Sequence, residues 1–241
     1  MNCTIMFPVY NEEKRLENGV RKTVEFLKEH SLGYNLVIID NGSTDATESI
    51  GEELEKEFPN VTYCKINEKG VGAAFRKGFE ISDTEVFGYM DVDLSTKLEH
   101  LLQVEDIFKK DESVQIVNGS RISKGSQVIG RKLGREITSR GLNIILKIYF
   151  RMKIKDSLCG FKFFKRDSLD FLMKQSSDEN GWFYIVELLL RAERGKYKIE
   201  EIPVVWEDDY NTTVKVFKLI IEYLRQIMRL FIMFNFKGEK K

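Results

Sequence analysis

The 241-residue chain is poor in the residues that mark specialised scaffolds. It has three cysteines, Cys3, Cys64 and Cys159, scattered and without a Cys-x-x-Cys pair. That spacing excludes a disulfide framework and a cysteine-built zinc site, and it points to a reducing compartment. The two histidines, His30 and His100, stand alone and read as surface or helix residues rather than ligands. Three prolines and 12% aromatic residues argue against a disordered chain. Charge of one sign is also missing: 38 Lys+Arg balance 38 Asp+Glu, which counts against nucleic acid as a partner. No apolar run approaches the ~18 residues of a spanning helix. The start, MNCTIMFPVYNEE, lacks the basic n-region and long apolar h-region of a signal peptide. The expectation is a cytoplasmic chain, soluble or peripheral on a membrane.

What is present is a core and an alternation. An apolar fraction of 42% is ample for a packed interior, and the length suits one large domain or a domain with an appendage. Strand-like runs (CTIMFPVY, YNLVIID, NVTYCKIN, EVFGYMDVD) alternate with helical ones over the first ~95 residues. Leu16, Val20, Val24 and Leu27 recur at helical spacing, and Thr44 or Asp45 can cap the next helix. This pattern predicts an α/β fold, a parallel sheet with helices on both faces. Beyond Asp93 the spacing predicts helices at KLEHLLQVEDIFKK, GREITSRGLNIILKIYFRM and GWFYIVELLLRAERG, and strands at VQIVNGSR, GFKFFKR and YKIEEIPVVW. A final helix is expected from Val214 to Phe236.

Open parallel sheets bind ligands beyond the carboxyl ends of their strands. Four polar clusters fall there: PVYNEE, DNGSTD, EKGVGAAFRKG and DVDLST. In the last, Asp91 and Asp93 stand one residue apart. Residues i and i+2 of a strand share a face, so two carboxylates could aim at one divalent ion. Oxygen-only ligands suit Mg²⁺ or Mn²⁺.

The four clusters, with GSR (119–121), RKLGREITSRGLN (131–143), DSLCGFKFFKR (156–166), WFYIVELL (182–189) and EIPVVW (201–206), resemble the inverting family-2 glycosyltransferases. The later blocks are most similar to the polyprenyl-phosphate sugar synthases, and among them to dolichyl-phosphate glucosyltransferases. The resemblance covers nearly the whole chain in order. It implies a GT-A fold, a single Rossmann-like open mixed sheet flanked by helices, over residues 1–212. Residues 1–95 would be the nucleotide-sugar half and 96–212 the acceptor half.

The resemblance also implies roles. Pro8, Val9, Tyr10 and Glu12 would surround the donor's base and ribose, with Asp40 and Asn41 reading the base. Lys69 and Arg76 would meet the diphosphate, Gly70 and Gly72 would allow its close approach, and Val92 would lie against the donor. Asp91, Asp93 and Ser95 would hold Mg²⁺ or Mn²⁺. Arg121, Arg135 and Ser139 would hold the acceptor lipid phosphate, with Arg131 and Arg140 nearby, and Asp156 would position rather than abstract a proton. The slot that carries an Asp in the glucosyl branch is Ile185 here, and a lipid phosphate, already ionised, needs no general base. Glu187 reads as a buried structural partner. Where the mannose branch carries an arginine after the PV strand, this chain has Glu207, Asp208 and Asp209.

In the tail, Lys215, Lys218, Glu222, Arg225 and Arg229 are spaced 3, 4, 3 and 4 apart, one stripe on an otherwise apolar helix. Residues 213–241 therefore read as an in-plane amphipathic helix at an anionic membrane surface, or as a helix packing on the domain or on a membrane partner subunit. NIILKIYFRM offers a second apolar helix end. The expected activity is inverting hexose transfer from a nucleotide-sugar, UDP-linked in the first instance, to a polyprenyl phosphate. Transfer to a glycan hydroxyl and a non-catalytic nucleotide-sugar-binding subunit are the alternatives.

Overall fold

The structure is a computed structural model that describes residues 1–130, 133–207 and 216–236. The first ~95 residues form β1 (Cys3–Val9), α1 (Leu16–Glu29), β2 (Asn35–Asp40), α2 (Thr47–Glu57), β3 (Val61–Lys65), α3 (Val71–Ile81) and β4 (Val86–Met90). Then follow α4 (His100–Lys110), β5 (Ile116–Ser120), β6 (Gln127–Ile129), α5 (Leu133–Phe150), β7 (Phe161–Lys165) and α6 (Arg166–Gln175). The chain continues with α7 (Phe183–Arg194), β8 (Ile199–Pro203), β9 (Val205–Glu207) and α8 (Val216–Phe236).

Seven strands make one sheet in the order β3-β2-β1-β4-β7-β5-β8. The first four run parallel, as their near-continuous apolar sequences and helical crossovers require. β7 runs antiparallel between β4 and β5, and β8 is parallel to β5, so the sheet is mixed. The α/β expectation and the open mixed sheet both hold.

Three local differences have physical reasons. The segment YKIEEIPVVW is two strands rather than one. Val204 donates to the Ser120 carbonyl of the main sheet at 3.0 Å and accepts from Gln127 at 3.1 Å, where the chain leaves for a parallel β6–β9 ribbon. Helix α6 has no strong apolar stripe; it buries only Leu169 and Leu172, which periodicity overlooks. Helix α2 begins at Thr47, and Asp45 Oδ1 accepts from the Thr47 amide at 3.0 Å from just outside it.

The sheet separates two apolar cores. One packs Phe7, Ile38, Phe161, Phe163 and Trp206. The other centres on Phe75, which meets Phe87, Tyr89, Phe164 and Tyr184 edge-on. Tyr223, Ile227, Leu230 and Phe234 of α8 are buried in this second core. The last helix is thus built into the domain and is not a detached appendage.

Candidate active site

The clusters at the ends of β1 and β2 are laced together. Asn41 donates to the Val9 carbonyl through its amide at 2.9 Å and its side chain at 3.3 Å. The Asn11 amide donates to Ser43 Oγ and the Glu12 amide to Thr47 Oγ1, each at 2.8 Å. Asp40 is fully buried and accepts from the Ser43 amide at 2.8 Å and from the Tyr63 hydroxyl at 2.7 Å. Glu12 pairs with Arg15 at 2.6 Å. Pro8 and Val9 lie in β1, and the exposed Tyr10 beyond them receives a hydrogen bond from Lys69 Nζ at 3.0 Å. Buried Asn41 Oδ1 has no hydrogen-bond partner among the described residues, an acceptor left open beside Asp40.

The glycine-rich block serves a different end from the one expected. Cβ atoms at Gly70 and Gly72 would run into the backbone of Glu179 and Asn180, not into open space for a phosphate. The Gly72 and Ala73 amides donate to the Asn180 carbonyl at 2.7 and 3.2 Å, so a loop closes the N-terminus of α3. Arg76 follows the same logic. It donates to the Glu179 carbonyl at 2.8 Å and to Asn180 Oδ1, and lies 4.8 Å from the centre of the Tyr184 ring. In this structure both glycines and Arg76 anchor the 177–181 loop rather than face a diphosphate.

The acidic pair is close to expectation in place and different in construction. β4 ends at Met90, so Asp91 and Asp93 are not alternate residues of a strand. A turn brings them together: the Leu94 amide donates to the Asp91 carbonyl at 3.2 Å, and Leu94 takes a left-handed φ of 55°. The Ser95 amide donates to Asp93 Oδ1 at 2.9 Å, which is the contact Ser95 makes with the pair. Val92 is buried between them, its carbonyl against α1 at Gly19, where a Cβ would clash. Gly160 flanks the other side, and its missing side chain makes room for the Asp91 carboxylate. Tyr89 donates to Asp91 Oδ1 at 3.1 Å. Burial first, then the nearby Asp93 charge, push the Asp91 carboxyl up to about 7.

Those features fit a divalent cation. Two oxygen donors are held together at a cost in charge repulsion that a cation would relieve, and the cradle fits the carboxylate closely. Among the described residues no group of three or more His, Cys, Asp or Glu could hold a metal. Asp91 and Asp93 would then supply two ligands and leave the rest to water and substrate oxygens, as Mg²⁺ and Mn²⁺ allow.

Arg121 and Asp156 form a buried bidentate pair, Nε to Oδ2 at 2.7 Å and Nη2 to Oδ1 at 2.9 Å. The Arg121 amide adds a third bond to Oδ2 at 3.0 Å. Although burial opposes it, this partner holds the Asp156 carboxyl well below the usual range. Asp156 is therefore permanently ionised and orients Arg121, whose charge also reaches Asp91. Ser139 is buried in α5, and its carbonyl accepts from Asn143 Nδ2 at 3.1 Å. Asn143 also receives the Ser157 amide at 3.0 Å and hydroxyl at 2.9 Å, tying α5 to the Asp156 loop. Asn143 was legible only as the last letter of a block. Exposed Arg140 pairs with Glu136 at 2.7 Å. Arg131, Asp208, Asp209 and Lys215 lie outside the described residues, as do the side chains of Arg135 and Lys218.

Glu187 is fully buried. It accepts from Arg191 at 2.8 Å, from Arg229 of α8 at 2.8 Å and from the Ser177 hydroxyl at 2.6 Å. Ile185, two residues earlier, is also buried, so no carboxylate occupies that slot.

This arrangement, a mixed sheet with a paired-aspartate turn at the end of β4, is that of a GT-A glycosyltransferase. The chain belongs to glycosyl transferase family 2, whose sequence profile matches residues 4–172. It is 30% identical over 232 residues to glycosyltransferase AglD of Haloferax volcanii, covering 95% of this chain and 37% of that protein. It is 30% identical to dolichyl-phosphate beta-glucosyltransferase ALG5D of Trichomonas vaginalis, covering 92% of this chain and 72% of the relative. To the dolichyl-phosphate beta-glucosyltransferase of Dictyostelium discoideum it is 29% identical, covering 94% and 73%. The chain thus spans about a third of the first relative and nearly three quarters of the other two. In fold it is similar to glucosyl-3-phosphoglycerate synthase from Mycobacterium tuberculosis, solved with Mn²⁺ and UDP-glucose. The TM-score is 0.69 at 16% identity, over 95% of this chain and 78% of that one.

Proposed function

We propose that the chain transfers a hexose, with inversion, from a nucleotide-sugar to a polyprenyl phosphate. The observation that carries this reading is the state of the other carboxylates in the blocks that resemble the family. Asp156 is saturated by Arg121, Glu187 by two arginines and a serine, and Ile185 fills the slot where a base would stand. An acceptor that arrives already ionised suits such a site, and a hydroxyl does not. Two relatives that carry the name dolichyl-phosphate beta-glucosyltransferase support the same acceptor class and a glucosyl donor.

In this reading a phosphate oxygen of the lipid attacks the anomeric carbon from the face opposite the leaving group. The carbon–oxygen bond to the nucleotide diphosphate breaks, and both electrons leave with the diphosphate. A divalent ion between Asp91 and Asp93 would offset the charge on that leaving group. Arg121, held by Asp156, offsets the charge of the incoming phosphate. Asp40 and Asn41, with its open Oδ1, read the base, while Tyr10 and Lys69 close over the ribose and diphosphate side.

The acceptor reaches the site from a bilayer. Ile221, Leu224, Met228 and Ile232 of α8 are exposed at spacings of 3, 4 and 4, and Ile144, Ile148 and Tyr149 of α5 lie exposed beside them. Tyr149 joins the two helices by an edge contact to Phe231 at 5.3 Å. Among the described residues no helix is long and apolar enough to cross a membrane. The two helices form a face for the membrane surface, with the site on the cytoplasmic side.

The test is a screen of UDP- and GDP-sugars against short prenyl phosphates, with Mn²⁺, Mg²⁺ or chelator. Metal-dependent formation of a prenyl-phosphate sugar is expected, and Asp93→Ala abolishes it. Transfer to a sugar hydroxyl, with none to prenyl phosphates, would overturn the reading. One observation favours that second possibility: Glu179 Oε2 is buried without a hydrogen-bond partner among the described residues, and burial and Glu222 raise its carboxyl. Loss of hydroxyl transfer in Glu179→Gln would identify it as a general base.

A further inference from the structure

Four polar side chains stand in register across four neighbouring strands. Tyr89 of β4 pairs with Lys162 of β7, Lys162 with Asn118 of β5, and Asn118 with Glu201 of β8. Directly paired residues share a face of the sheet, so the row is one polar line across the four strands. Tyr89, Lys162 and Asn118 are buried, Lys162 to 1% exposure. A buried ammonium is costly and calls for an account.

Each member makes a hydrogen bond to the segment 155–160 or to Asp91, and Asn118 Nδ2 also donates to Glu201 Oε1 at 3.3 Å within the row. Glu201 accepts from the Lys155 amide through both oxygens at 3.0 Å, and from the Asp156 amide at 3.2 Å. Asn118 Nδ2 donates to the Asp156 carbonyl at 3.0 Å. Lys162 Nζ donates to the Cys159 carbonyl. Tyr89 donates to Asp91 Oδ1 at 3.1 Å. The segment so held carries Asp156, which orients Arg121, and Gly160, which abuts the Asp91 carboxylate.

We propose that this row is a positioning device for both halves of the site, with Lys162 at its centre. Lys162 fixes the Cys159 carbonyl, which sets the Cys159–Gly160 peptide against Asp91 and fixes the direction in which that carboxylate points. Burial pushes the Lys162 ammonium down, and the nearby Asp156 and Asp91 carboxylates counter only part of that cost. The proposal rests on the reading of Asp91 and Asp93 as metal ligands.

The test is Mn²⁺ binding, followed by electron paramagnetic resonance with UDP or GDP present, in the full chain and in Lys162→Met, Lys162→Arg and Glu201→Gln. Lys162→Met removes a positive charge, so a purely electrostatic role requires tighter Mn²⁺ binding in that variant. The positioning role requires weaker binding, by about ten- to hundredfold, as for other groups that orient a metal ligand. Lys162→Arg keeps a cationic donor and recovers part of the loss. Glu201→Gln lies at the half-buried end of the row, and its weakened binding carries the result should Lys162→Met not fold. Unchanged or tighter Mn²⁺ binding in Lys162→Met, or in Glu201→Gln where that variant stands in, overturns the proposal. Failure of the unaltered chain to bind Mn²⁺ overturns the metal reading and this inference with it.

Discussion

Asp91 holds a proton more tightly in the folded chain than an exposed aspartate does, because burial and Asp93 both penalise its charge. Its carboxyl rises from 3.8 to about 7 on folding, so the folded state gains protons relative to the unfolded one. Its contribution to stability is therefore greatest below about pH 4, declines as pH rises, and is lost above about pH 7, by up to about 4 kcal/mol. In chelator, Asp91→Asn is expected to melt higher than the unaltered chain at pH 8, with the gap shrinking towards pH 5. Mn²⁺ is expected to close the gap at pH 8 by stabilising only the unaltered chain. A gap independent of pH would contradict this account. Two glycines allow a second comparison. Gly19→Ala sets a methyl against the Val92 backbone, which cannot swing away, and is expected to cost about 1–3 kcal/mol in denaturant melts. Gly160→Ala meets a side-chain carboxylate that can rotate, so it should keep the fold by circular dichroism while losing Mn²⁺ binding and activity. Asp91 and Asp93 were legible in the sequence because they sit in a polar cluster at a strand end, whereas Arg121 and Asp156 were legible only through the family resemblance. Lys162, Asn118 and Glu201 were not, because a single polar residue inside a strand has no meaning until register is known.

At the scale of elements, strand-then-helix alternation made β1 to β4 legible, since parallel strands need helical crossovers and fully apolar sequences. Short elements with little to bury, α6 and the β6–β9 ribbon, left too weak a pattern. Helix α8 shows where a stripe argument stops. Of the expected charged stripe, Arg229 turns inward to Glu187 and the Ser177 hydroxyl, each at 2.8 Å, while Glu222 and Arg225 stay exposed. Periodicity locates a face but not the carboxylate waiting beneath one edge of it. Arg229→Gln leaves fully buried Glu187 with one arginine and is expected to cost about 1–3 kcal/mol. Arg225→Gln, four residues earlier, should leave the melting temperature unchanged. Hydrogen exchange in the 177–181 loop should quicken in the first variant alone, because Arg229 reaches that loop through Ser177.

The whole molecule sets the paired-aspartate turn at the end of β4 and an exposed apolar face along α5 and α8. Single charges placed on that face, Ile148→Asp and Ile232→Asp, are expected to lower co-sedimentation with anionic vesicles severalfold and to leave Mn²⁺ binding intact. Loss of both together would mean that the fold, not the surface, had been damaged. The sheet order has one more consequence, for the time at which parts of the molecule can form. Among the described residues β5 finds no partner in the strands made before it and pairs with β7 and β8. A ribosome that has delivered residues up to Gly160 has released four paired strands with β4 as an open edge and β5 unpaired. Only when Phe161–Lys165 emerges can that strand enter beside β4, and the same event brings Gly160 against Asp91. The acidic pair therefore acquires its second wall late in synthesis, and nascent chains stalled before β7 should show in hydrogen exchange that the β4 amides on the β7 edge are unprotected while those paired with β1 are protected.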